Sequence, residues 1–181
     1  NMKQLRRLIE NKPILLFLVF TITFIGFRGF DLDRYVMTDE TPWLMRSGNF
    51  YYALGQRDFI QTRQKLDPAV TTMWTNTAAF LIVAPQYRGL WQGYFDSYTS
   101  FDKYIQKRNI DPHQIIIVGR MIMVLENLII LLVAFKLMIH LVGLIPAFSA
   151  FMMIALDPFH IALTSVTHTD GLLSSLMLLS I

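Results

Sequence analysis

Residues Pro13–Phe27 read PILLFLVFTITFIGF, an uncharged and almost wholly apolar stretch that decides the fold class. Apolar character resumes beyond Arg28 as far as Phe30. At about 1.5 Å per residue, this segment nearly spans the ~30 Å hydrocarbon core of a membrane. We therefore expect a first transmembrane helix over residues 13–30. A cleaved signal peptide is the alternative, but no small-x-small cleavage site follows Phe27 and further apolar segments come later.

The composition agrees with a chain that is partly solvated by lipid. Of its 181 residues, 54% are hydrophobic and only 16% are charged, whereas an ordinary soluble domain carries roughly a quarter charged residues. This balance excludes intrinsic disorder, and the absence of cysteine excludes a disulfide framework and thiolate metal sites. A net charge of +3 with no basic cluster beyond the N-terminus predicts no nucleic-acid partner.

The distribution of charge predicts the topology. Residues 1–12 are basic, which places the N-terminus in the cytoplasm. Residues 31–113 are polar and aromatic, and we expect an extracytoplasmic loop with amphipathic helices there. Residues 114–181 are apolar again. We thus expect an all-α integral membrane protein of the bacterial inner membrane with about four transmembrane helices.

The later transmembrane helices are predicted at Ile115–Lys136, at Leu141–Leu156 and from Gly171 onward. Because no polar residue marks an exit before Ile181, we expect the chain to be the N-terminal part of a longer protein.

Several sequence signals predict helices outside these spans. The pairs Asp67–Pro68, Asp111–Pro112 and Asp157–Pro158 each indicate a helix start, with aspartate as the N-cap and proline at the first helical position. Residues Trp43–Leu54 combine helical spacing with amphipathic aromatic side chains. Such side chains favour the membrane–water interface, so we expect an interfacial helix there.

The topology places two distant sets of titratable groups on the outer face. Asp39–Glu40 follows the first span, and Asp157, His160, His168 and Asp170 surround the break after the third. Carboxylates beside a low-dielectric boundary suit general-base chemistry. The alternative is structural, because Asp157 and Asp170 each precede a helical stretch that they can cap. A metal site made by His160, His168 and Asp170 is a further possibility.

Two charged residues, Arg120 and Glu126, fall inside the second span. Charges at that depth are costly, so a functional role is the default hypothesis. Arg120 lies near the outer end, where it can either snorkel to the interface or hold a lipid phosphate. Glu126 is expected to face protein.

Three motifs together resemble a known family. They are Asp39–Trp43 (DETPW), Asp67–Trp74 (DPAVTTMW) and Leu156–His160 (LDPFH), the last leading to His168–Asp170. In this order they resemble bacterial membrane glycosyltransferases of the dolichyl-phosphate-mannose–protein mannosyltransferase family. The resemblance implies a partial GT-C fold and covers most of the chain.

The resemblance also implies an activity. Such enzymes move a sugar from a polyprenyl-phosphate-linked donor to an acceptor hydroxyl of a protein, lipid or glycan on the outer face of the membrane. It implies Asp39 as the catalytic base with Glu40 beside it, and Arg120 as the cation that holds the lipid phosphate. Asp170, His168 and Asp67 are further substrate-binding candidates. No metal ligand is assigned, although a divalent metal cofactor is left open.

The alternative function is a non-catalytic membrane subunit, a scaffold within a larger membrane complex that derives from such an enzyme. It is motivated by Asp67–Ala69, which stands where the family usually has His-Pro-Gly.

Overall fold

The structure is a computed structural model that describes residues 2–34, 36–64 and 69–180, with side chains from residue 13 onward. These residues form helices and connecting segments and contain no strand. The predicted all-α class is therefore confirmed. The helices are α1 (Met2–Gly29), α2 (Glu40–Gln56), α3 (Val70–Val83), a 3₁₀ helix (Pro85–Gly89), α4 (Tyr98–Lys107), α5 (Pro112–Val142), α6 (Leu144–Leu156), α7 (Pro158–Thr164) and α8 (Thr169–Leu179).

Helix α5 is the central element, because α1, α3, α6 and α8 all pack against it. At one end, Tyr51, Phe80 and Phe101 belong to an aromatic core that joins α2, α3 and α4. At the other end, Phe20 and Phe151 bury their rings between α1, α5 and α6. The candidate site lies where the segment between α1 and α2 meets the segment between α7 and α8.

Among the described residues, α5 alone is long and apolar enough to cross a membrane unaided. Helices α6 and α7 satisfy the same criterion only as a pair, and they are bent by 67° at their junction. The apolar part of α1 (Pro13–Gly29) and α8 are shorter helices. The sequence predicts four transmembrane helices, whereas the described residues contain one full-length candidate and one bent pair.

The polar region between α1 and α5 folds into helices that pack inside the protein. The helix expected over Trp43–Leu54 is present as part of α2. Its aromatic side chains are not laid on a surface, because Trp43, Phe50 and Tyr51 are almost wholly buried. The apolar face of α2, which the sequence pattern assigned to a membrane–water interface, therefore packs inside the protein against α3.

Two of the predicted aspartate caps are confirmed. The carboxylate of Asp111 accepts from the backbone N–H of His113 at 2.9 Å, and that of Asp157 accepts from the N–H of His160 at 2.7 Å. Both satisfy N–H groups that the first helical turn leaves without partners. The third pair, Asp67–Pro68, lies outside the described residues.

Candidate functional site

A buried ion pair between Glu40 and Arg120 anchors the region around the candidate site. The Nε of Arg120 donates to Oε1 of Glu40 at 2.8 Å, and its Nη2 donates to Oε2. Both side chains are essentially inaccessible to solvent. This two-pronged geometry matches the planar guanidinium to the carboxylate and fixes α2 against α5.

The same two side chains also bind backbone groups from two other segments. Arg120 donates through Nη1 to the carbonyl oxygens of Leu32 at 2.6 Å and Arg34 at 3.1 Å. Glu40 accepts from the backbone N–H of Met37 at 2.9 Å and of Thr167 at 3.1 Å. The pair therefore joins the α1–α2 connection, α5 and the α7–α8 connection at one point.

Glu40 is held ionised by this arrangement. Burial by itself raises the pKa of a carboxyl group, but here the hydrogen bonds from Arg120 and from the two backbone N–H groups outweigh it. The pKa of Glu40 consequently lies below its ordinary value. A carboxylate with all these donors is a poor proton acceptor at neutral pH, so Glu40 serves structure better than it serves catalysis.

The neighbouring residue, Asp39, has the opposite environment. Its side chain is 68% exposed, and it makes no capping hydrogen bond although it occupies the N-cap position of α2. Its Oδ2 lies 3.8 Å from Nε2 of His168, and Nδ1 of His168 lies 3.5 Å from Oδ2 of Asp170. The structure thus brings Asp39, His168 and Asp170 together from distant parts of the sequence.

The hydrogen bonding of His168 indicates which ring nitrogen carries the proton. Its Nδ1 accepts from the backbone N–H of Asp170 at 3.3 Å, so the proton of the neutral ring resides on Nε2. That nitrogen faces the carboxylate of Asp39. A neutral His168 therefore presents an N–H group, and not a lone pair, to Asp39.

These residues line a cleft of about 300 Å³. Its polar lining comprises Asp39, His168, Asp170 and Arg34, and its apolar lining includes Met37 and Val166. Arg34 donates through Nη2 to the hydroxyl of Ser165 at 2.7 Å, a contact across 131 residues. A concave site with a few convergent polar groups on an apolar wall is the usual form of a small-molecule site.

The close approach of α7 and α8 that shapes this cleft depends on Gly171. A Cβ atom at that position would lie 2.6 Å from the carbonyl oxygen of Leu163 and 3.2 Å from Cα of Thr164. We expect Gly171→Ala to lower the free energy of unfolding by about 1–3 kcal/mol, because backbone atoms cannot yield to the new methyl group. Thermal unfolding of the purified protein measures this change.

Gly26→Ala is the matched control, since a Cβ there would meet nothing within 4 Å. This control should be as stable as the parent protein or slightly more stable, because alanine favours the helix. A Gly171→Ala protein that unfolds at or above the parent temperature would contradict the packing described.

Among the described residues, no group of three potential ligands is placed to hold a metal ion. The trio His160, His168 and Asp170 left open by the sequence does not assemble. His160 instead contacts Arg28, whose Nη2 lies 2.9 Å from its Nδ1. A guanidinium always donates, so this nitrogen of His160 must be an acceptor and its ring neutral.

Helix α5 carries two further polar contacts below the ion pair. Glu126, expected to face protein, accepts from the hydroxyl of Thr75 at 2.6 Å. The side chain of Asn127 accepts from the hydroxyl of Ser175 at 2.6 Å and is fully buried. Each contact ties α5 to one neighbouring helix, α3 or α8.

The structure places most of the predicted site residues. Asp39, His168 and Asp170 meet at the cleft, whereas Glu40 and Arg120 form the buried pair beneath it. The roles assigned to them stay predictions, and Asp67 lies outside the described residues. Sequence reasoning missed Arg34, although a lone cation shortly before an acidic pair was a signal that could have found it.

Comparison of this chain with known proteins found no relative. No family model matches this chain, and neither the curated proteins nor the solved structures contain a significant match. The resemblance to membrane mannosyltransferases therefore depends on the three sequence motifs alone.

Proposed function

We propose that this chain contributes the acceptor-activating part of a membrane glycosyltransferase. In this proposal it moves a sugar from a polyprenyl-phosphate-linked donor to an acceptor hydroxyl at the outer face of the membrane. The observation that carries the proposal is the cleft, in which the exposed carboxylate of Asp39 stands beside His168 and Asp170.

The chemistry that this site suits is a single displacement. Asp39 accepts the proton of the acceptor hydroxyl while its oxygen attacks the anomeric carbon of the donor sugar. The bond between that carbon and the phosphate oxygen breaks, and the phosphate leaves with the electron pair, which inverts the anomeric configuration. An exposed carboxylate with a neighbouring imidazole is suited to the proton transfer.

An exposed apolar stripe on α5 supports the membrane location. Large apolar side chains are exposed at every fourth position, namely Met121, Leu125, Ile129, Val133, Leu137 and Leu141. At ~1.5 Å per residue the stripe is about 30 Å long, which equals the thickness of a hydrocarbon core. We include α1 and the bent α6–α7 pair among the membrane-embedded elements, with the cleft at the outer surface.

The test is the activity of Asp39→Asn in membranes supplied with radiolabelled polyprenyl-phosphate sugars. Transfer of label out of the lipid fraction should fall by roughly 10²–10⁴-fold, the usual contribution of a positioned general base. The fold should be unaffected, because the Asp39 side chain caps no helix. Asp33→Asn, at another exposed carboxylate of the same connection, is the matched control and should retain full transfer.

Full activity of the Asp39→Asn protein would remove Asp39 from the mechanism and with it the main support for this function.

A second candidate function is a non-catalytic subunit of a membrane complex. It is favoured by an apolar groove of about 640 Å³ between α1 and α5, lined by residues such as Ile25, Leu32 and Leu125. In a complex, such a groove takes an apolar helix from a partner. Stable co-purification with one membrane partner, together with the absence of sugar transfer, would favour this function over catalysis.

A further inference from the structure

The charges of the cleft are separated into two regions. Asp39 and Asp170 lie on either side of His168. Arg34 also lines the cleft. Among the described residues, no carboxylate lies within 4.0 Å of its guanidinium, the distance at which an ion pair forms. Its one side-chain hydrogen bond there is to a neutral hydroxyl, that of Ser165. The cleft thus offers one cationic region and one acidic region.

Arg120, which the sequence suggested as the phosphate-binding cation, is placed differently. Its guanidinium is fully buried and donates hydrogen bonds to Glu40 and to the carbonyl oxygens of Leu32 and Arg34. A ligand phosphate would have to displace these groups. Arg34, in contrast, lines the cleft, and its side-chain partner is a hydroxyl, which carries no charge.

We propose that Arg34 binds the phosphate of the ligand, while the carboxylates of Asp39 and Asp170 face its hydroxyl groups. This inference deepens the proposed function, on which it depends, by assigning the anionic part of the substrate to a named side chain. Ser165 holds the guanidinium through one of its five N–H groups. The rest of the planar fork is then available to phosphate oxygens, which it matches in geometry.

The size of the cleft agrees with this ligand class. At about 300 Å³, it has room for roughly ten water molecules at ~30 Å³ each. That space is enough for one sugar ring with its phosphate. The separation of charge also orients such a ligand, because the phosphate is repelled by the carboxylates and attracted by Arg34.

Equilibrium binding to the full chain in lipid nanodiscs tests the proposal, with geranyl phosphate and inorganic phosphate as the two probes. Arg34→Ala should weaken binding of geranyl phosphate ten- to a hundredfold, since a hydrogen bond to a charged group is of about that strength. Arg63→Ala is the matched control, because it removes the same charge from an exposed position elsewhere in the outer segment. Its affinity should equal that of the parent protein.

Two further variants separate binding from structure. Arg34→Lys keeps the charge and should recover part of the affinity, whereas Ser165→Ala removes the hydrogen bond to the guanidinium and should cost only a few-fold. If Arg34→Ala affects both probes equally, the site recognises phosphate from any source. If only geranyl phosphate is affected, the phosphate belongs to a lipid.

Equal affinity of Arg34→Ala and the parent protein for geranyl phosphate would overturn the proposal. A parent protein that binds neither probe would overturn it as well. The outcome is distinguishable from that of the transfer assay. If binding depends on Arg34 but no sugar is transferred, the phosphate site stands and the proposed catalysis is wrong. If transfer depends on Asp39 but binding does not depend on Arg34, the catalysis stands and the phosphate site is wrong.

Discussion

Replacing Arg120 with alanine is expected to lower the free energy of unfolding by about 3–5 kcal/mol, because the change leaves the buried carboxylate of Glu40 without its counter-ion. It also removes the donor to the carbonyl oxygens of Leu32 and Arg34. The loss can be measured by equilibrium unfolding in mixed detergent micelles. Lys136→Ala is the matched control, since it removes an exposed cation from the same helix and should cost little.

A double replacement separates the ion pair from the packing around it. With methionine at both Glu40 and Arg120, no unpaired charge stays buried, so the double variant should be more stable than Arg120→Ala. The cycle formed with the single variants Glu40→Met and Arg120→Met gives the coupling energy directly. A double variant as unstable as the sum of the two singles would show that the pair contributes no coupling.

The ion pair also predicts a pH dependence. The pKa of Glu40 is lower in the folded chain than its ordinary value of 4.5, so the folded state binds this proton less readily than the unfolded state does. The associated stability is fully present above pH 4.5 and is lost as the pH falls through the folded pKa. Replacing Glu40 with glutamine should remove this acid-side slope from unfolding curves.

Arg28→Met should be the second large stability change, at about 2–4 kcal/mol. Arg28 lies in the last turn of α1 and is fully buried. It donates to the carbonyl oxygens of Ala155 at 2.9 Å and Ile154 at 3.3 Å, in the last turn of α6, and to the hydroxyl of Thr164 at 2.7 Å. Methionine fills similar space but removes all three donors. Ile154 keeps the bond from the N–H of Asp157, and the Thr164 hydroxyl keeps its bond to the carbonyl oxygen of His160. The Ala155 carbonyl therefore carries most of the loss, at about 1–3 kcal/mol for a buried acceptor left without its partner.

The contact of Arg28 with an aromatic ring contributes separately to stability, and a control variant measures the effect of such a contact alone. The guanidinium also lies 3.9 Å from the ring centroid of Phe24, an interaction worth about 0.5–2 kcal/mol. Arg46→Met removes a comparable contact with Trp43, at 4.7 Å, without orphaning a carbonyl. If both variants unfold at the same denaturant concentration, the hydrogen bonds to α6 contribute nothing measurable.

Local signals account for the part of the fold that the sequence predicted. The aspartate–proline pairs at Asp111 and Asp157 define helix starts through contacts with residues two or three positions away. The apolar run of α5 likewise predicts a helix without reference to any neighbour. The convergence of Asp39 with His168 and Asp170 was anticipated only as a shared face, since topology gives a side and not a distance.

The partners of the charged residues were beyond reach of the sequence. Glu40 and Arg120 are 80 residues apart, and nothing local indicates that they pair. Nothing local indicates the partners of Arg28 either, since a single cation at the end of an apolar helix is usually an interfacial residue. Its contacts depend on the bend between α6 and α7, which brings carbonyl groups toward α1.

Helix α5 fixes an angular relation between the buried ion pair and the exposed side of the helix. The exposed stripe begins at Met121, directly after Arg120, so the two directions differ by about 100° around the helix axis. Inserting one residue between Arg120 and Met121 would turn the rest of the helix by about 100° relative to the ion pair. That turn would move Leu131 and Phe135 out of the core that they form with α1 and α6. An insertion of about one whole turn would nearly preserve the angle, so it should disturb this core far less than the insertion of a single residue.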